Sequence, residues 1–270
     1  MPELPEVETI VRDLKALGQK TFSDVIVHDG FVLRQNPNDF VCRLKGQGIE
    51  KITRRGKAIV IHLSSTEFLV IQLMMTGQLI VEKKVKLADK HTRITFILSD
   101  GTGLLYNDQR RFGQLRVVSD LKQINHFNIL GPEPFSKRFS PLFMRQAFQK
   151  TNRPIKNLLL DHTFVAGIGN IYACEVLFRS QLSPKRPSRH ISFIEAKKLH
   201  KQIREVLKEA IKHRGSSMRN YRDGHGQKGS FNQRLAVYAQ QGKPCPICQK
   251  DIVRIAQSGR STFYCQQCQK

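Results

Sequence analysis

Acidic residues are scarce in this chain: 22 aspartates and glutamates face 45 lysines and arginines over 270 residues, a formal net charge of +23 at pH 7. No stretch reaches the roughly 18 uncharged apolar residues a membrane-spanning helix needs, which sets aside an integral helical membrane protein. The opening residues, Met1-Pro2-Glu3-Leu4-Pro5-Glu6, lack the basic start and apolar run of a secretory signal. The expected location is therefore the cytoplasm. Internal repeats and low-complexity tracts are absent as well.

The charge present is uneven. Residues 1–130 sum to +5 and residues 131–270 to +18. A strongly basic half points to a polyanion, with nucleic acid ahead of an anionic membrane surface. A protein that is merely basic is the plainer alternative at this point.

Hydropathy patterning divides the chain. Val7, Ile10, Val11, Leu14 and Leu17 follow helical spacing and predict a helix over residues 6–18. Short β-rich runs follow at Val25–Val27, Ala58–Leu63, Phe68–Leu73, Ile94–Leu98, Gly103–Tyr106 and Leu115–Val118. Gly, Asp, Asn and Ser punctuate these runs. The pattern predicts one helix on an antiparallel sandwich or barrel over residues 1–130. Gly131-Pro132-Glu133-Pro134 suits neither strand nor helix and opens an expected linker over 131–139. Beyond it, Ser140 is placed to cap a helix starting at Pro141. Further helices are expected over Ile155–Leu160, Asn170–Phe178 and Ile191–His213. The expected divisions are thus a helical domain over 140–235 and a cysteine module over 236–270, an α+β multidomain protein.

Four of the six cysteines lie in the last 26 residues, as Cys245-x2-Cys248 and Cys265-x2-Cys268. Two such knuckles bring four thiolates into a closed tetrahedron, so the spacing predicts one structural zinc ion rather than a redox dithiol. Cys42 and Cys174 have no partner at ligand spacing and are read as buried small hydrophobes. Between the knuckles, Gln257–Thr262 forms a polar turn with Arg260 near its tip, a phosphate probe or simply a solvated loop cation.

Two other stretches carry chemistry. Gly167-Ile168-Gly169-Asn170 brackets a tight turn running into a helix N-terminus, where amides and dipole favour an anion; an ordinary helical corner would look the same. Lys156, one helix earlier, is in range of the same phosphate. Met1 before a proline is normally trimmed, which leaves Pro2 as a free secondary amine able to attack a sugar carbon and form a cationic Schiff base. Glu3 beside it can serve as general acid or base. A proline that only starts a helix is the bland alternative.

Together these fragments resemble the bacterial formamidopyrimidine-DNA glycosylases. The matching residues are Pro2–Glu8, Arg55-Gly56-Lys57, Met75-Thr76-Gly77, Lys90-His91, Asp108-x-Arg110-Arg111-Phe112-Gly113, Gly131–Pro134, Gly167–Tyr172, Gly215–Arg219 and the cysteine ribbon. They span the whole chain in the family's order. The resemblance implies an N-terminal helix on an antiparallel β-sandwich, then a helix–two-turns–helix domain with a C-terminal zinc ribbon. It implies a monomeric base-excision repair enzyme acting on damaged double-stranded DNA beside the bacterial nucleoid, with no obligate protein partner. Pro2 would be the nucleophile, Glu3 the acid that helps open the deoxyribose ring, and Glu6 a support for the site. Lys57 would approach the sugar and its phosphates. His91, Arg110, Arg111, Lys156, Asn170 and Arg260 would hold DNA, with Arg260 also close to the elimination chemistry.

Met75, Arg110 and Phe112 would fill the gap left by an extruded nucleotide; ordinary core packing is the alternative for the two apolar residues. Residues 216–229, with Ser217, Met218, Arg219 and Tyr221, would form a lid over the flipped base. Arg93, His162 and Cys174 depart from the family's usual residues without touching a proposed catalytic atom. Two other readings stand beside this one: the endonuclease VIII-like glycosylases of oxidised pyrimidines, and a non-catalytic nucleic-acid binder. Leu4 argues against the first, and Pro2, Glu3 and Lys57 together argue against the second.

Overall fold

The computed structural model describes residues 1–85 and 88–270. The chain forms two compact units, residues 1–128 with 213–230, and residues 129–212 with 231–270.

The first unit begins with α1 (Leu4–Leu14). Glu3 and Glu6 close its first turn as a reciprocal capping box, and Pro5 sits in that turn, where a missing N–H costs nothing. The helix therefore starts two residues earlier than its apolar spacing suggests. Val7, Ile10, Val11 and Leu14 are essentially inaccessible. Strands β1 (Phe22–Val27), β6 (Thr92–Leu98), β7 (Gly103–Asp108) and β5 (Gly77–Glu82) make one antiparallel sheet in that order, and β2 (Ile49–Arg55), β3 (Ala58–Leu63), β4 (Phe68–Gln72) and β8 (Gln114–Val118) make the other. A short α2 (Pro37–Leu44) and a single-turn α3 (Asn125–Asn128) complete the unit.

Alternate residues of the strands, such as Ile59 and Ile61 of β3 and Phe96 and Leu98 of β6, share one core with α1. Each such side chain contributes about 1.5–3 kcal/mol on burial. Strands β2 and β5 and helix α2 are not evident in the hydropathy pattern. Both strands lie at sheet edges, where one side carries polar residues and the alternating signal fades. Cys42 of α2 is exposed rather than buried, because this helix buries only Phe40 and Leu44.

The second unit contains α4 (Pro141–Gln149), α5 (Ile155–Leu159), α6 (Asn170–Ser180) and α7 (Phe193–Lys212), then the hairpin β9 (Val253–Gln257) and β10 (Arg260–Tyr264). Ser140 caps α4 as its sequence predicts, its Oγ accepting from the Phe143 amide at 3.2 Å. Helix α6 is apolar nearly all round and runs through the middle of the unit. Gly131 and Pro132, expected at the start of a linker, are instead buried in this unit. The Gly131 amide donates to the carbonyl of His162 at 2.7 Å, and a Cβ at Gly131 would collide with the Phe164 backbone. Residues 213–230, placed by sequence in the helical domain, pack within the first unit. No helix among the described residues is long and apolar enough to cross a membrane.

Candidate nucleic-acid interface and reaction centre

In the first unit the chain start is a focus of charge. Pro2 is buried, and Glu3 and Glu6 are 4% and 2% exposed. The Glu3 amide donates to Glu6 Oε2 at 2.8 Å, and Glu6 Oε1 accepts from the Ser216 amide at 2.7 Å. Gly215 makes this possible. Its φ is +79°, and a Cβ there would stand 2.8 Å from Glu6 Oε1. Lys57 follows Gly56 in the tight turn joining β2 to β3, Gly56 taking a φ of +58°. The α-amine of Met1, one residue before Pro2, lies below its ordinary pKa, first because it is buried; Glu3 and Glu6 push it up, and Lys57 and Arg219 push it down. Proposed nucleophile position, two carboxylates and two cations thus share one electrostatic neighbourhood.

A second cluster lies on two loops of the same unit. Met75 and Phe112 are 44% and 45% exposed, so they are not core residues. Arg110 joins them: its Nη1 is 3.3 Å from Met75 Sδ, and its guanidinium carbon sits 4.6 Å from the centre of the Phe112 ring. Asp108 fixes both loops. It is fully buried and accepts from the Thr76 hydroxyl, the Gly113 amide at 2.7 Å, the Arg110 amide at 3.3 Å and the Tyr106 hydroxyl at 3.3 Å. Gly113 cannot carry a side chain, since a Cβ would overlap the Tyr106 hydroxyl. Arg111 turns elsewhere, toward Asp29 at 3.6 Å and the exposed Phe31 ring at 5.5 Å. The His91 amide donates to Asp89 at 2.6 Å, and its carbonyl accepts from the Asp108 amide.

The expected lid segment is tied down at several points. Ser217 Oγ donates to the Tyr221 carbonyl at 3.0 Å and accepts from the Gly229 amide at 2.9 Å. Tyr221 is 8% exposed, belongs to the core of the unit, and donates its hydroxyl to the Glu6 carbonyl at 3.3 Å. Met218 and Arg219 are exposed. Ser216 Oγ is buried with no protein partner, an uncommon state that leaves it available to a ligand.

In the second unit the hairpin meets the helical turn. Lys156, fully buried, donates from Nζ to Thr262 Oγ1 at 2.6 Å and to the Ser261 carbonyl at 3.3 Å. Asn170 Nδ2 donates to the same carbonyl at 2.8 Å, while its Oδ1 is buried without a partner. Gly169 is the cap of α6. Arg260 is exposed at the hairpin and lines a cleft of about 320 Å³ with Arg153, Asn157, Asp161, His162 and Ser258. Helix turn and ribbon together therefore present Arg260, a histidine, Arg153 in an ion pair with Asp161 at 2.6 Å, and a lysine-braced loop, a surface suited to phosphate.

The four ribbon sulfurs lie within 4.8 Å of one another, with Cys248–Cys265 at 3.4 Å and Cys245–Cys268 at 3.9 Å. A tetrahedral zinc with bonds of about 2.3 Å separates its sulfurs by about 3.8 Å, so the set fits the ion. The ribbon holds one structural zinc. The other two cysteines are not among these four, although Cys174 of α6 is buried in the apolar cluster that also contains Cys245 and Cys265.

Three residues central to this architecture carry no role in the sequence reading. Asp108 was legible only as part of a loop pattern. Glu175 of α6 is inaccessible and accepts from the amides of Ala236, Val237 and Tyr238 at 2.8–3.0 Å, anchoring the approach to the ribbon. Burial raises its carboxyl above the usual range, against those three bonds. Thr262 looks in the sequence like any turn threonine.

The geometry has close counterparts. Residues 1–115 match the family model described as the formamidopyrimidine-DNA glycosylase N-terminal domain, residues 130–222 match its H2TH domain, and residues 242–270 match the zinc finger found in FPG and IleRS. The formamidopyrimidine-DNA glycosylase of Desulforamulus reducens is 42% identical over 275 residues, covering 100% of this chain and 99% of that protein. Its Bacillus cereus counterpart is 39% identical with the same coverage. Among solved structures, the MutM (Fpg) protein of Thermus thermophilus superposes with a TM-score of 0.89 at 39% identity, over 99% of this chain and 98% of that one. A Lactococcus lactis Fpg mutant in complex with Fapy-dG-containing DNA gives 0.93 at 31% identity, with both chains fully covered. The Lactococcus enzyme with abasic-site DNA gives 0.91 at 32%, over 99% of each chain.

Proposed function

The chain belongs to the formamidopyrimidine-DNA glycosylase family, and from that premise we propose that it is a bifunctional DNA glycosylase and AP lyase of base excision repair, removing oxidised or ring-opened purines from damaged double-stranded DNA. The observation that carries the reading is the chain start: a buried Pro2 beside the buried carboxylates Glu3 and Glu6, in an electrostatic neighbourhood that Lys57 and Arg219 share.

Met1 is trimmed and the Pro2 nitrogen becomes the nucleophile. A target base cannot be reached inside the stack, so it is extruded at a cost of a few kcal/mol. Met75 and Phe112 wedge the vacated stack and Arg110 bonds the orphaned partner base. The neutral amine of Pro2 attacks the sugar carbon bearing the base, the base departs with a proton, and Glu3 protonates the ring oxygen as the sugar opens. The resulting iminium acidifies the neighbouring sugar proton. Its removal expels the 3′ phosphate, elimination of the 5′ phosphate follows, and water releases the enzyme. Lys57 steadies the phosphates near this centre. In the second unit Arg260, the Lys156- and Asn170-braced hairpin and the zinc that folds it hold the DNA backbone; His91 and Arg111 contribute from the first. The enzyme acts as a monomer.

The test is borohydride trapping on duplexes bearing a ring-opened purine, an oxidised guanine or an oxidised pyrimidine. The reading predicts a covalent adduct with both purine lesions. An adduct with the pyrimidine alone would move the chain to the endonuclease VIII-like class, and no adduct at all would make it a binder.

A further inference from the structure

Glu6, Thr9 and Asp13 stand at i, i+3 and i+7 of α1 and so share one face of the helix. This stripe is polar yet enclosed: Glu6 and Thr9 are each 2% exposed, and the Asp13 side chain is 6% exposed. It faces a single stretch of chain. Glu6 takes the Ser216 amide on its carboxylate and the Tyr221 hydroxyl on its backbone carbonyl. That hydroxyl also lies within hydrogen-bonding reach of Thr9. Asp13 Oδ2 takes Arg214 Nη2 at 2.6 Å and the Gly224 amide at 2.9 Å.

Arg214 is the keystone of that stretch. Its Nε donates at 2.6 Å to Asp223, which is fully buried and whose other oxygen accepts from the amides of His225 and Gln227. Arg214 has a φ of +58°, directly before Gly215 at +79°. A non-glycine residue in that region is strained and persists only where its surroundings over-determine it. Two carboxylates on one guanidinium do so here. Gly229 closes from the other side, where a Cβ would collide with the carbonyls of Arg214 and Gly215. The positive-φ pair ends at Ser216, whose amide meets Glu6.

We propose that Asp13, together with Asp223, is a positioning residue for base removal: by clamping Arg214 it fixes Gly215–Ser216 against Glu6 and holds the lid in register with Pro2 and Glu3 at the head of the same helix. The proposal rests on the reading of Pro2 as nucleophile and of residues 216–229 as lid. Its consequence is a split between the two activities. Excision of an intact damaged base needs the lid over that base. Cleavage at an existing abasic site has no base to hold and draws on the reaction centre at Pro2, Glu3 and Lys57 rather than on the lid.

Single-turnover rates of Asp13→Asn on a ring-opened purine duplex and on the matching abasic duplex test this. Excision is expected to slow by about tenfold or more, the scale of one lost charge-assisted hydrogen bond. Abasic cleavage and trapping are expected to stay within about twofold, and Asp13→Glu to restore part of the excision rate. An equal fall in both activities, or an unchanged excision rate, overturns the proposal. Should Asp13→Asn fail to fold, Arg214→Lys, which keeps the cation and loses the two-sided reach, must show the same split, and equal loss or no loss there overturns it. Wild-type protein with neither activity would defeat the underlying reading instead.

Discussion

Truncating the exposed pair on the Asp108 loops separates a wedge from a core. Phe112 and Met75 are 45% and 44% exposed. A fully buried Phe→Ala change costs about 3–5 kcal/mol, because a cavity is left behind. With nearly half of the ring already in solvent, the transfer contribution of Phe112 falls to about 1 kcal/mol. Its contact with Arg110 adds about 0.5–1 kcal/mol. Phe112→Ala should therefore destabilise the protein by about 1–2 kcal/mol, and Met75→Ala by less, as read by urea unfolding. Activity should respond far more. Holding an extruded nucleotide offsets an unstacking cost of a few kcal/mol, and each 1.4 kcal/mol lost is about tenfold in rate. Single-turnover excision from duplex DNA should fall by about 10- to 100-fold, with zinc content unchanged. A stability loss above about 3 kcal/mol accompanied by a proportionate loss of excision would return both residues to the core and refute the wedge.

Zinc removal is the second expectation: Cys265→Ser, or exhaustive chelation, should abolish metal content and DNA binding while circular dichroism still shows the β-sandwich, since such sites contribute about 10–16 kcal/mol to folding the segment that holds them. A metal-free wild-type protein that cuts DNA at full rate would contradict it. Affinity should fall with salt by about 0.9 log unit per log unit of salt for each phosphate contact, and Arg260→Ala should weaken binding with a shallower slope, while Lys156→Ala should weaken binding by loosening the hairpin that its buried Nζ braces; an unchanged slope in Arg260→Ala would place DNA on another face. The trapping rate should rise with pH as the amine that Met1 removal leaves on Pro2 loses its proton; a rate that does not rise with pH would mean a different nucleophile.

Much of this architecture can be read from local signals. The Ser140–Pro141 start of α4 and the limits of β3 follow from capping chemistry and β-branched runs, which depend on neighbours along the chain. The cysteine spacing likewise specifies its own geometry. What was not legible depends on long-range contacts. Edge strands β2 and β5 lack a clean alternation. The placement of residues 213–230 in the first unit rests on Asp13, Asp223 and Glu6, and no spacing in the sequence links position 13 to position 214. Gly131 looks like a linker glycine, but its lack of a Cβ serves close packing on Phe164. Lys156 looks like a free cation, whereas it is buried behind the ribbon hairpin. The chain start was legible as chemistry, from Pro2 and Glu3, but the bond that joins Glu6 to Ser216 was not.

The central claim is that the N-terminal nitrogen of Pro2 does the chemistry. The direct measurement is borohydride trapping on an abasic duplex, comparing protein with Met1 removed, protein retaining an N-terminal extension, and Glu3→Gln with Met1 removed, all confirmed by intact mass and peptide mapping of the adduct. The account predicts an adduct on Pro2 in the trimmed protein and none in the extended protein, which still binds DNA. On a parallel duplex bearing the intact damaged nucleotide, it predicts that Glu3→Gln binds but no longer excises the base. An extended protein that traps DNA at the normal rate, with the adduct mapped to a lysine such as Lys57, would contradict it.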